Sequence, residues 1–293
     1  MKRLLGFALA FTLLASPLRA EPLNVVASFS ILGDMVREVG GDRIALKVIV
    51  GPDGDAHTFE PAPADAKALH KADLIFVNGL GLEKWMEKLI TASTTKALEV
   101  VASEGVSPRM MSKDGETFTD PHAWQDLRNG AIYVRNVEAA LTKADPADAA
   151  YFHANAEALL AKLAALDAWT RREIDTVPAD KRKIITTHNA FGYFAAAYGV
   201  TFLAPAGLST DAEPGARSLA ALIDQIRQEK IKALFIENMT DPRLMKMISK
   251  ETGAEMGGGL YSDALSPPGG PAPTYPAMFE NNVPKLVAAM RKN

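Results

Sequence analysis

The chain has 293 residues, 48% apolar and 23% charged, with a formal net charge of −3, a profile that excludes a disordered or collagen-like chain. Its 32 Lys and Arg against 35 Asp and Glu leave no basic excess to grip a phosphate backbone, so nucleic acid is not an expected partner. Cys is absent, which removes disulfides, Fe–S clusters, thiolate zinc sites and a lipid-modified N-terminal Cys together; any metal has to be held by His, Asp or Glu.

Lys2 and Arg3 precede the apolar run Leu4 to Ala15, and Ser16-Pro17-Leu18-Arg19-Ala20 closes it on a small residue suited to cleavage. The run is about twelve residues, short of the roughly 20 that a bilayer core needs. Residues 1–20 are therefore expected to be a cleavable signal peptide. Cleavage after Ala20 removes Lys2, Arg3 and Arg19 and no acid, taking the net charge from −3 to −6. No later segment is long and apolar enough to be a transmembrane helix, and no Cys follows to carry a lipid. A periplasmic protein without a direct membrane anchor is expected.

Short β-branched runs follow at Leu23 to Ala27, Leu46 to Val50, Asp73 to Val77 and Leu98 to Val101, with helical patterns at Ile31 to Val39, Glu83 to Thr91 and Arg128 to Thr142. Continuous apolar strands alternating with helices predict a parallel sheet covered on both faces, hence an α/β lobe over residues 21–145. Pro146 to Thr176 has no internal Gly or Pro, is rich in Ala, Leu, Lys and Glu, and opens with Asp145 as N-cap and Pro146 at the first helical position. It predicts one long, rigid helix of about 45 Å over 146–176, bridging the halves. Its apolar positions, Phe152, Ala156, Leu159, Leu160, Leu163, Leu166 and Trp169, form a face too irregular for strict heptads. The α/β pattern restarts in 177–293, with strands at Lys183 to Thr187, Thr201 to Ala204 and Ala233 to Glu237, and helices at Ser218 to Glu229, Leu244 to Glu251 and Val283 to Arg291. Ser266 to Pro276, with five Pro and two Gly, predicts an irregular surface segment.

Five His occur. His70 and His153 lie in helical patterns, where solvated or partly buried positions are expected. His57 follows the turn Gly51 to Asp55 after a strand, His122 lies in Thr119 to Trp124, and His188 ends the strand Lys183 to Thr187. In open α/β sheets ligands bind beyond the carboxyl ends of strands, so these three can converge although 65 and 66 residues separate them. Asp263, in Leu260 to Ser266, also follows a strand-like run. Three imidazoles and one carboxylate complete an N/O shell for a borderline divalent ion, tilted toward Zn²⁺ over Mn²⁺; from spacing alone, hydrogen-bonding loop residues and, for Asp263, a helix N-cap remain open. Gly79-Leu80-Gly81 lacks the third glycine of a dinucleotide fingerprint, and Gly-x-Ser-x-Gly, the phosphate loop and His-Glu-x-x-His are all missing.

Four stretches, Gly54 to Pro61, Asp120 to Trp124, Thr187 to Phe194 and Tyr261 to Leu265, resemble in order the signature regions of the zinc/manganese solute-binding proteins of ABC importers, the cluster A-I family. The resemblance spans the mature chain. It implies two α/β lobes joined by one rigid helix, an ion in the cleft between them and delivery to the membrane subunit of an ABC permease. By position, the metal ligands it implies are His57, His122, His188 and Asp263. In that family the third position is often Glu where manganese is carried and His where zinc is; the long His-rich loop of many zinc carriers is missing here. Zinc is the first expectation and manganese the alternative, bound by a monomer that is not an enzyme. Ligand protonation predicts that affinity falls as pH drops through about 6.5, and Glu237 or Asn189 is expected to orient a ligand imidazole. A secreted zinc-dependent hydrolase, using three His and a bound water, and a metal-binding adhesin are the competing readings.

Overall fold

A computed structural model describes residues 21–113, 116–207, 210 and 215–293. The signal peptide expected over 1–20 lies outside the described residues. The first half carries strands β1 (Leu23–Phe29), β2 (Ile44–Val50), β3 (Leu74–Val77) and β4 (Leu98–Val101), interleaved with helices α1 (Ser30–Gly40), α2 (Pro63–Lys71) and α3 (Met86–Ser93). These strands form one sheet in the order β2-β1-β3-β4, every neighbour parallel. All four residues of β3 are buried, as the unbroken apolar run Leu-Ile-Phe-Val requires of a strand covered on both faces. A short antiparallel hairpin, β5 (Met110–Lys113) with β6 (Glu116–Thr119), precedes helix α4 (Leu127–Ala144).

The predicted long helix is α5 (Ala149–Asp175), 27 residues and so about 40 Å long. Its expected first turn is instead a separate 3₁₀ turn, Pro146–Asp148, because the Asp145 carboxylate accepts the Ala147 N–H at 3.1 Å and fixes a tight start there. Its buried stripe, Phe152, Ala156, Leu159, Leu163, Leu166, Thr170 and Ile174, is more regular than the sequence reading, since Thr170 rather than Trp169 continues it. Along this stripe α5 packs on α1 and α4 and, at the same time, on α9 of the second half.

The second half repeats the plan with β7 (Lys183–Ile185), α6 (Gly192–Tyr198), β8 (Thr201–Leu203), α7 (Ala216–Glu229), β9 (Ala233–Glu237), α8 (Arg243–Thr252), β10 (Glu255–Leu260) and α9 (Tyr275–Met290). Its sheet runs β10-β9-β7-β8, again all parallel. Each sheet reverses its strand order once, between β1 and β3 and between β7 and β9, and such switch points open a crevice beyond the strand ends. The segment Ser266 to Pro276 departs from the surface reading: Ala272, Tyr275 and Pro276 are buried and Tyr275 opens α9. One apolar core, including Phe29, Phe76, Trp124, Phe152, Phe194 and Phe279, runs through both halves, whereas Leu222, Ile226, Leu234, Met245 and Ile248 belong to a small separate cluster under α7 and α8.

Candidate metal centre

Each of the four sequence candidates sits just beyond a strand end and is fixed by its local backbone. His57 follows β2 in a loop where Trp85 Nε1 donates to Ala56 O at 2.8 Å and the His57 N–H donates to Asp55 Oδ1 at 2.8 Å. Asp53 adopts a left-handed backbone (φ 55°), and its N–H donates to Leu265 O at 3.0 Å across the cleft. His122 is held from below by Asn78, at the end of β3, whose Nδ2 donates to Pro121 O at 2.9 Å while Tyr133 donates to Asn78 Oδ1 at 2.6 Å. His188 follows β7, and its N–H and that of Thr187 both donate to Glu237 Oε1 at 2.9 Å, so β7 and β9 are tied together at the switch point. Asp263 follows β10; the carbonyl before it, Ser262 O, accepts from both Trp124 Nε1 and Gln125 Nε2 at 2.8 Å. The loops carrying His122 and Asp263 are thereby locked to one another.

The structure brings His57, His122, His188 and Asp263 together, one donor atom from each lying within 4.8 Å of all the others. His57 Nε2 is 3.2 Å from both His122 Nε2 and Asp263 Oδ2; Asp263 Oδ2 is 3.6 Å from His122 Nε2 and 3.0 Å from His188 Nε2. Ligand bonds of about 2.0–2.1 Å in a tetrahedron give edges of about 3.3 Å, so these separations fit four donors facing one small cation. His122, His188 and Asp263 are fully buried and the His57 side chain is 5% exposed, which leaves His57 as the solvent-facing edge. Asp263 Oδ1 is buried without a hydrogen-bond partner among the described residues, a state in which buried polar atoms are seldom left.

Two further carboxylates stand behind the imidazoles. Asp120 Oδ1 lies 2.8 Å from His122 Nδ1 and also accepts the His122 N–H at 3.0 Å. Glu237 Oε2 lies 2.7 Å from His188 Nδ1. The backbone N–H of Asn189, the other residue expected to orient a ring, donates to Gly207 O at 2.9 Å. Burial by itself lowers an imidazole pKa, but Asp263 and Asp120 outweigh it at His122 and raise its pKa to about 9. At His188 burial acts the same way and is outweighed by Glu237 and Asp263, holding the pKa well above 6.5. Burial would raise Asp263, yet the two imidazoles hold it well below the usual carboxylate range. The protonation range therefore lies higher than the 6.5 or so expected from free imidazole.

His70 and His153 stay apart from the cluster: His70 Nδ1 is 3.0 Å from Ser93 O, and His153 Nδ1 is 2.7 Å from Glu138 Oε1 at an exposed helix face. Gly79-Leu80-Gly81 cradles a side chain rather than a nucleotide. All three residues take positive φ, and the turn folds over Glu83, whose carboxylate accepts the Asn78 and Gly79 N–H groups and the Ser28 hydroxyl. Asp120 escaped the sequence reading although it lies in the stretch around His122; a carboxylate two residues ahead of a candidate ligand was the signal available.

Two parallel-sheet halves around a buried three-His, one-Asp cluster define a solute-binding protein for a metal ion. Residues 25–289 match the family described as zinc-uptake complex component A, periplasmic, and the chain belongs to that family. It is 34% identical over 271 residues to the manganese-binding lipoprotein MntA of Halalkalibacterium halodurans, covering 92% of this chain and 89% of that protein. It is 35% identical over 267 residues to the iron-binding protein YfeA of Yersinia pestis, covering 90% and 85%. The periplasmic zinc-binding protein TroA of Treponema pallidum superposes with a TM-score of 0.87 at 32% identity, covering 92% of this chain and 99% of TroA. The chain is thus the metal-binding, substrate-binding component of an ABC transporter, in a family whose members carry names for different ions.

Proposed function

We propose that this protein captures Zn²⁺ in the periplasm through His57, His122, His188 and Asp263 and hands it to the membrane subunit of an ABC import permease. The observation that carries this reading is the buried convergence of three imidazole nitrogens and one carboxylate oxygen on a common point, a donor set suited to a borderline ion and to four-coordinate zinc. Asp120 and Glu237 keep the Nδ1 edges of His122 and His188 occupied, so that Nε2 is the ligating atom in each. With four protein donors the shell has no place reserved for a reactive water, which favours binding and release over hydrolysis.

Manganese is the second reading, and one feature favours it. Asp263 Oδ1 is buried and unpartnered, so the carboxylate can give both oxygens to a harder ion of higher coordination number. We further take residues 1–20 as a cleaved signal peptide, 21–145 and 177–293 as the lobes and 146–176 as their link. The mature protein is taken to be a monomer free in the periplasm: MntA is named a lipoprotein, but this chain has no Cys to carry such a lipid. Calorimetric titration of the metal-free mature protein with zinc and with manganese tests the assignment. Zinc is expected to bind more tightly at one ion per chain, and tighter manganese binding overturns the choice of ion.

A further inference from the structure

Gly192, the first residue of α6, belongs to the second half but meets Asp120 of the first. A Cβ built on it would fall 2.3 Å from Asp120 Oδ2, closer than real Cβ contacts come. Its φ is not in the left-handed region, so the backbone itself makes no demand for glycine there; the demand comes first from the carboxylate, with Arg109 Nε next at 3.4 Å. Asp120 cannot swing away without loss, because its Oδ1 serves both the N–H and the Nδ1 of His122. It is also fully buried, and Oδ2 has no hydrogen-bond partner among the described residues, only the Arg109 guanidinium with its Nε at 4.0 Å. The next residue of α6 reinforces the contact. Tyr193 donates its hydroxyl to Asp120 O at 3.2 Å and accepts the Arg109 N–H at 3.0 Å, while the Asp120 N–H returns to Arg109 O at 2.9 Å. Asp120 thus touches His122 on one side and the start of α6 on the other.

We propose that Gly192 is a positioning residue for the ion: the close approach of α6 to Asp120 that only glycine permits is what sets the His122 ring. This inference rests on the reading of His122 as a ligand.

The test is zinc titration of the full mature protein and of Gly192→Ala, Asp120→Ala and the double variant, with thermal unfolding of each metal-free form. Gly192→Ala is expected to lower zinc affinity about ten- to a hundredfold, the usual effect of disturbing a group behind a metal ligand. Its metal-free Tm should fall, because the added methyl overpacks the buried Asp120 carboxylate, and adding Gly192→Ala to Asp120→Ala should cause no such fall. In the Asp120→Ala background, where the obstructed carboxylate is gone, adding Gly192→Ala should change affinity less than twofold. Unchanged affinity in the single variant, or the same loss with and without Asp120, overturns the inference while leaving the metal reading intact. Absence of zinc and manganese binding by the unaltered protein removes both.

Discussion

At His122 and His188 a proton and a metal ion compete for the same nitrogen. With the His122 pKa raised to about 9 by the carboxylates around it and His188 shifted the same way, the metal-free site holds a proton at neutral pH that an ion has to displace. Loading at pH 7 is therefore expected to release at least one proton. Affinity should keep climbing between pH 6 and 8, by about tenfold per unit for each proton displaced, where unperturbed imidazoles would level off. Calorimetry in buffers of differing ionisation enthalpy counts the protons, and a count of zero at pH 7 contradicts the electrostatics. Glu237 gives a second prediction. Gln in its place can still accept the Thr187 and His188 N–H groups, but it withdraws the negative charge 2.7 Å from His188 Nδ1. A ten- to hundredfold loss of zinc affinity is expected, and unchanged affinity removes Glu237 from the site. The four proposed ligands, which the structure brings together, were legible because their residue types and strand-end positions sit in recognisable stretches. Asp120 and Gly192 were not, because a partner's role depends on the direction of a ring and on a contact between residues 72 positions apart.

Among the elements, α1 carries a buried acid whose titration falls on the contact between the halves. Asp34 Oδ2 accepts the Tyr275 N–H at 2.7 Å in the first turn of α9, with Arg37, Glu38 and Lys162 as its charged neighbours. Burial raises its pKa from 3.8 to about 6, partly offset by that hydrogen bond. Between those pH values the folded chain keeps a proton that the unfolded chain has lost, so stability falls as pH rises from about 4 to about 6, by roughly 3 kcal/mol in all. Asp34→Asn should match the unaltered protein in Tm at pH 4 and exceed it at pH 7. Equal pH profiles for the two would contradict the shift. The sequence located most elements, and the exceptions have identifiable causes. The hairpin β5–β6 is four residues a side and largely polar, with no apolar alternation to mark it. α9 reads as starting late because Pro276 and Pro284 look like breakers. Pro276 falls in the first turn, where no intrahelical N–H bond is needed, and Thr274 caps that turn by accepting the Ala277 N–H.

Across the whole molecule the apolar core is shared unequally. Both halves join one continuous cluster through α5 and α9, while α7 and α8, with Ile185 of β7 and Leu234 of β9, close over only a small one. Opening free energy follows buried apolar contact, so amide exchange should be fastest, among the helices, in α7 and α8 and slowest in β1, β3 and α5. Zinc loading should slow exchange at residues 188–192 and 260–265, which carry two of the ligands. Uniform exchange across both halves would contradict this division. The α/β architecture was readable from strand and helix periodicity, but the convergence of residues up to 206 positions apart was not: it is set by where each sheet reverses its order, a property of strand pairing that no local pattern encodes.

One cation is proposed to sit among four side chains that hold it without changing it. Anomalous diffraction at the zinc edge from crystals of the zinc-loaded mature protein tests this most directly. A single peak is expected at about 2.0–2.2 Å from Nε2 of His57, His122 and His188 and from a carboxylate oxygen of Asp263. A peak elsewhere, or one bonded to fewer than three of these residues, would contradict it.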